Sequence, residues 1–176
     1  MALIILGHPH FDRSFANKTI IEELQRSDLP VEVRNIHYSI DAKAEQDALS
    51  KHRTIVFQYP IYWYSMPAIL KHWFDVVFEY QFAYGTEGDK LKNKNFVPSF
   101  TVGSAEQSYS TLQEHHFRVY EFCKHLEQIA YYKQMNYIDP IYVDKTSLAA
   151  GYSEAEVKHK AKNHAKRLIK CLSELG

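Results

Sequence analysis

A chain of 176 residues is long enough for one domain with a sizeable core. Its 45% hydrophobic and 24% charged residues exclude a disordered chain and a membrane-spanning one. Lys+Arg and Asp+Glu both count 21, so the net charge is zero and there is no strong basic field to attract nucleic acid.

The opening run Ala2 to Leu6 is continuously apolar, as a parallel strand buried on both faces should be. The start, MALIILGHPH, is too short an apolar run for a secretion signal and has no basic residue before it. A turn-rich loop, Gly7 to Arg13, follows, and Ser14 is placed to cap a helix reaching about Arg26. Val31 to Ile36 alternates as a second strand, Ala44 to Lys51 forms a short helix, and Thr54 to Gln58 is the third strand. An aromatic loop then leads to Pro67, suited to the first turn of a third helix whose apolar face is Ala68, Ile69, Leu70, Trp73, Phe74, Val77 and Phe78. Phe96 to Val102 reads as a fourth strand despite Pro98, and Thr111 to Ala130 as a fourth helix. Met135 to Val143 is a fifth strand region interrupted at Asp139-Pro140. The last helix runs from about Ser153, where Glu156 completes a capping box, to Leu175. Cys123 and Cys171 share no metal-type spacing and fit a reduced, cytoplasmic protein.

Strands alternating with helices over residues 1–176 predict one α/β domain. Its expected form is a three-layer sandwich around a doubly wound, five-stranded parallel sheet in the flavodoxin-like order 2-1-3-4-5. That order brings three loops to one sheet edge. In the first, Ser14 would leave the N–H groups behind it facing an anion, with His8 and Asn17 as further donors; taken alone, Ser14 reads first as a plain helix cap. His8 and His10 lack a third metal ligand at a fitting spacing, and no metal is expected. The second loop offers Tyr59, Tyr62, Trp63 and Tyr64 as a wall for a planar heterocycle, or as core. The third, Thr101-Val102-Gly103-Ser104, offers backbone donors to the polar edge of that heterocycle. A phosphate site, an aromatic wall and an amide-lined edge together suit a flavin nucleotide.

These residues resemble the NAD(P)H:quinone oxidoreductase family, flavodoxin-like proteins related to DT-diaphorase. The likeness is densest in FQYPIYWYSMPAILKHWFDVVF, Phe57 to Phe78, and extends to HPHFDRSFANK. It implies a phosphate role for His8, Ser14, Phe15, Ala16 and Asn17. It implies ring and ribityl contacts for Pro60, Ile61, Tyr62, Trp63 and Tyr64, with Ser65, Met66, Pro67 and Ala68 behind them. Thr101, Val102, Gly103 and Ser104 stand where the family usually has TTGG, so one Thr and one Gly are missing. Tyr109 and His115 match the Tyr–His pair that the DT-diaphorase branch uses near the flavin's pyrimidine edge, which gives them the catalytic role. The chain is short for the family, which favours FMN over FAD. IDAKAEQDALSKH and FAYG are similar to the branch containing the ancillary subunits of glutathione-gated potassium efflux systems.

The resemblance implies an NAD(P)H dehydrogenase (quinone) with a two-step ping-pong cycle, in a homodimer with Tyr80 to Tyr84 and Phe117 to Phe122 as interface candidates. Its competitor is a flavin-bound regulatory subunit of a potassium efflux transporter, which would hold it at the inner membrane. A one-electron carrier is disfavoured, because such carriers are usually acidic and this chain is neutral.

Overall fold

The computed structural model describes residues 1–176. Strand β1 (Ala2–Leu6) is central, pairing in parallel with β2 (Val31–Asn35) on one side and β3 (Thr54–Pro60) on the other. Strand β4 (Asn95–Thr101) adds beyond β3, so the order 2-1-3-4-5 holds, with one more strand than the sequence led us to expect. The fifth strand region divides into β5 (Asn136–Tyr137), beside the start of β4, and β6 (Ile141–Val143), beside its end.

Pro98 accounts for that division. Asn95 donates its N–H towards β3, whereas Phe96 accepts from Ile138 and Val102 donates to Val143 on the other side. Alternation therefore points the Pro98 nitrogen, which has no hydrogen, at the gap between β5 and β6. The proline breaks the edge partner and leaves β4 buried and paired with β3 throughout.

Helices α1 (Phe15–Arg26) and α5 (Glu154–Leu175) pack together on one face of the sheet. The other face carries α2 (Ala42–Lys51), α3 (Ala68–Val77) and α4 (Lys124–Tyr132). The Ser153–Glu156 capping box is present, with each partner satisfying the other's backbone N–H. Helix α2 begins two residues earlier than its apolar pattern indicates, because Asp41 caps it through Ala44 N–H at 3.0 Å. Pro67 is the N-cap of α3 rather than a residue of its first turn.

The helix expected over Thr111 to Ala130 is corrected. Only Lys124–Tyr132 is α-helical, preceded by a 3-10 turn, Val119–Cys123. Leu112 and His116 have φ of 74° and 56°, a left-handed backbone that no right-handed helix contains. The run Gln113-Glu114-His115-His116 has no apolar stripe to bury, so helix formation gains nothing there. It folds instead as a loop closed by His115 N–H on the Ser108 carbonyl at 3.0 Å.

Strand alternation sends Leu3, Ile5, Ile55, Phe57 and Tyr59 to the α3 face and Ala2, Ile4, Leu6 and Val56 to the α1/α5 face. On the α1/α5 face the apolar sequence changes character towards the strand ends, where Gln58, Ser99 and Thr101 are all buried. That polar stripe leads to the cleft.

Candidate functional site

The loops after β1, β3 and β4 meet at the C-terminal edge of the sheet around a cleft of about 510 Å³, within the usual size for a small-molecule site. Of the residues expected there, His8, Ser14, Phe15, Ala16, Asn17, Pro60, Ile61, Tyr62, Thr101 and Gly103 line it.

At one end, the Ser14 Oγ accepts from the Asn17 backbone N–H at 3.0 Å, while the N–H groups of Phe15 and Ala16 have no backbone partner. Unpaired first-turn donors and the positive end of the α1 dipole favour a bound anion. The Asn17 side chain is buried and donates to both Ser14 Oγ and Thr101 Oγ1, each at 3.3 Å. His8 Nδ1 accepts from His10 N–H at 3.0 Å. Burial, then the neighbouring His10, lowers the His8 pKa to about 4, so the ring is neutral and carries its proton on Nε2 as one more donor. Arg13 lines the same end and makes no ion pair within the chain. Backbone N–H, hydroxyl, imidazole and guanidinium form a donor set suited to a phosphate dianion.

The aromatic loop is a tight turn in which Tyr62 and Ser65 exchange backbone hydrogen bonds of 2.9 and 3.1 Å. Trp63 and Tyr64 between them have φ of 48° and 66°. Two bulky residues in the left-handed region store strain of about 1–3 kcal/mol each, which persists where the surroundings over-determine the backbone. The turn separates the expected wall residues. Tyr62 faces the cleft, Trp63 is 93% exposed, and Tyr64 turns towards His115, with Tyr64 Oη 3.3 Å from His115 Nδ1. Ser65, Pro67 and Ala68 lie outside the lining and Met66 packs into the core, so these four support the turn and the start of α3.

In the third loop, the Val102 side chain is buried in the α3-face core and its N–H is taken by the Val143 carbonyl at 2.9 Å. Gly103 lines the cleft, and a Cβ there would lie 3.2 Å from the Cβ of Ser147. Ser104 donates its N–H to the Tyr109 phenol at 3.3 Å, which leaves the phenol hydrogen free to donate. Tyr109 is only 8% exposed and stacks on His115 with centroids 4.3 Å apart and planes 16° apart. The structure thus joins the two residues as one unit beside the loop.

Residues 1–168 match the family described by the flavodoxin-like fold. The chain belongs to the flavodoxin-like family. Among its relatives is the Bacillus subtilis (strain 168) protein named uncharacterized NAD(P)H oxidoreductase YrkL, 34% identical over 171 residues that cover 95% of this chain and 94% of the relative. The glutathione-regulated potassium-efflux system ancillary protein KefF of Enterobacter sp. (strain 638) is 32% identical over 174 residues, 96% of each. The crystal structure of general stress protein 14 from Treponema denticola in complex with FMN has 28% identity and a TM-score of 0.85, covering 96% of this chain and 98% of that one.

In this member of the flavodoxin-like family one wall of the cleft has no local signature in the sequence. Thr146, Ser147 and Leu148, in the connection between β6 and α5, line the cleft. Thr146 Oγ1 donates to the Val102 carbonyl at 2.9 Å and Ser147 N–H to the Gly103 carbonyl at 3.3 Å, so this segment clamps the third loop from behind. Its signal was confined to small hydroxyl residues following a short strand. Arg13 and His10 were readable from their place in the first loop. No helix is long and apolar enough to cross a membrane.

Two buried histidines, His8 in the cleft and His164 behind it, set a pH dependence for the fold. His164 is fully buried on α5, and burial, then Arg167, lowers its pKa to about 3. Unfolded, His8 and His164 take up protons as the pH falls through the ordinary value of 6.5; folded, they stay neutral to about 4 and about 3. Between those limits the unfolded chain binds more protons, so stability rises with pH across the window and is lost on acidification. Urea midpoints measured from about pH 7 down to about pH 4 should fall, and His164→Gln should flatten part of that slope. An unchanged slope in the variant would mean that His164 is protonated in the folded protein.

Proposed function

We propose that this protein is a flavin-dependent NAD(P)H oxidoreductase that holds FMN in the cleft, FAD being the second choice, and reduces a quinone-type acceptor. The observation that carries this reading is the convergence of Ser14, Asn17 and Thr101 with the open N-terminus of α1 in one cleft. The FMN complex of the Treponema denticola protein and the oxidoreductase name of YrkL support it. Bound flavin supplies hydride acceptance from a nicotinamide and delivery to a second substrate in turn, a two-electron ping-pong cycle.

The chain's own task is to bind and orient. The α1 N-terminus, His8 and Arg13 would hold the phosphate, and Ile61 and Tyr62, which line the cleft, would flank the flat ring system. Tyr109 stands behind the cleft lining with its phenol hydrogen uncommitted, and would donate it to the edge of a bound ring system that gathers negative charge on reduction. His115, stacked on Tyr109 and bonded to Tyr64, keeps that phenol in place. A homodimer belongs to the same reading: Trp63, Phe117 and Tyr120 are exposed large apolar side chains that a second copy would cover. The second reading, a flavin-bound subunit that regulates a potassium efflux transporter, is favoured by the end-to-end likeness to KefF.

The visible spectrum of the purified protein, followed by NADPH and then a quinone under anaerobic conditions, tests both. The expected result is a flavin absorbance bleached by the nicotinamide and restored by the quinone. Failure to take up FMN or FAD overturns both readings. Flavin bound but bleached by neither NADH nor NADPH leaves only the regulatory one.

A further inference from the structure

The polar stripe on the α1/α5 face is continuous. His164 Nε2 lies 2.8 Å from Ser99 Oγ, Ser99 Oγ donates to Gln58 Oε1 at 2.6 Å, and Gln58 Nε2 donates to Asn17 Oδ1 at 2.8 Å. Asn17 then donates to Ser14 and Thr101. Every member from His164 to Asn17 is buried, and the surroundings are Ile4, Leu6, Val56 and Val97. Polar side chains in such a place cost stability unless they are paired, and apolar residues of the same shape would fill the space without that demand.

The direction of the chain gives it a use. Gln58 occupies Asn17 Oδ1, so the Asn17 NH₂ group is what faces the two hydroxyls. Ser14 and Thr101 therefore accept, and each keeps its own hydrogen to donate into the cleft. With its hydrogen on Gln58 Oε1, Ser99 accepts from His164 Nε2, which places the ring proton there and leaves the buried Nδ1 without a hydrogen-bond partner. Were the amides reversed, both hydroxyls would donate inwards and present only lone pairs to an anion.

We propose that His164, Ser99 and Gln58 are positioning residues, a buried relay that fixes the Asn17 amide so that Ser14 and Thr101 serve as donors to the phosphate of the bound nucleotide. The inference rests on the flavin reading of the cleft and assigns selectivity for the phosphorylated flavin to residues that do not line it.

The test compares FMN with riboflavin, which has the same ring and no phosphate, by quenching of flavin fluorescence on binding. The ratio of riboflavin to FMN dissociation constants should fall about tenfold in Gln58→Leu, Ser99→Ala and His164→Leu, the cost of weakening a hydrogen bond to a charged group. His164→Gln, whose amide can donate to Ser99, should keep the wild-type ratio. Equal weakening of both flavins, or an unchanged ratio in the first three variants, overturns the relay and makes the stripe a feature of the core. Should His164→Leu not fold, Ser99→Ala and Gln58→Leu decide the matter alone. A wild-type chain that binds neither flavin overturns the flavin reading and the relay with it; a selective wild type with unaltered variants overturns only the relay.

Discussion

Ser14→Asp is expected to lower FMN affinity by a factor of about a hundred or more while leaving the urea midpoint at least as high as in the wild type. Asp is as good an N-cap as Ser, its carboxylate can accept the Asn17 N–H that Ser14 now accepts at 3.0 Å, and it is favoured at the positive end of α1. The helix loses nothing. A phosphate at the same terminus meets a like charge about 4 Å away, worth about 4 kcal/mol at an effective dielectric constant of about 20. Fluorescence titration with FMN and urea unfolding, made on one preparation, separate the two roles of Ser14. If the cap were its whole purpose, binding and stability would both survive. Riboflavin sharpens the result, because without a phosphate it should lose far less than FMN.

The same position shows what a sequence can and cannot carry. A serine before an apolar-periodic run states its capping role locally, as do Ser153 and Glu156 for α5. β1 and the Ile55-Val56-Phe57 run of β3 are legible because segments buried on both faces read as continuous apolar runs. The sheet order followed from strand-helix alternation, and with it the convergence of three loops. Thr111 to Arg118 was misread because helix-compatible residues with no apolar stripe do not state their conformation; the tertiary contacts of Tyr109 and His115 decide it.

Other features depend on partners distant in sequence. The left-handed turn at Trp63 and Tyr64 has neither Gly nor Asn to announce it, and it exists because Pro60, Ser65 and Met66 are held on either side. The residue pattern and the resemblance both offer the aromatic run as a wall, whereas the cleft is lined from this loop by Pro60, Ile61 and Tyr62, and Tyr59 is core. Thr146 to Leu148 enter from the far end of the chain, and no local pattern links them to Gly103. Pro98 is instructive in the opposite sense. It argued against a buried strand, and the strand is there because the missing donor faces the break between β5 and β6.

The two tryptophans of the densest stretch of resemblance, ten positions apart, should respond oppositely to truncation. Trp63 is 93% exposed, whereas Trp73 is 0% exposed. Trp73 sits edge-on to Phe57 and Phe74 at 5.9 and 5.4 Å, and its indole N–H donates to Glu45 Oε2 at 3.0 Å. Trp73→Ala is expected to cost about 3–5 kcal/mol, through lost burial and the cavity left between α3 and β3. Glu45 keeps its bonds from Arg34 at 2.9 and 2.7 Å, so the loss is one of packing rather than of a stranded charge. Trp73→Phe should recover most of the difference, leaving about 1 kcal/mol for the hydrogen bond. Trp63→Ala should change the urea midpoint by no more than about 0.5 kcal/mol equivalent, as for an exposed side chain. The turn before α3, with Trp63 and Tyr64 in the left-handed region, is strained and cannot hold itself. What holds it is the α3 helix, anchored by Trp73 on Phe57 of the strand that leads into the turn. Trp73→Ala should therefore weaken flavin binding as well, in proportion to the population unfolded or loosened, and stabilising osmolyte should restore it. Binding that stays weak in the osmolyte would mean that Trp73 shapes the cleft directly.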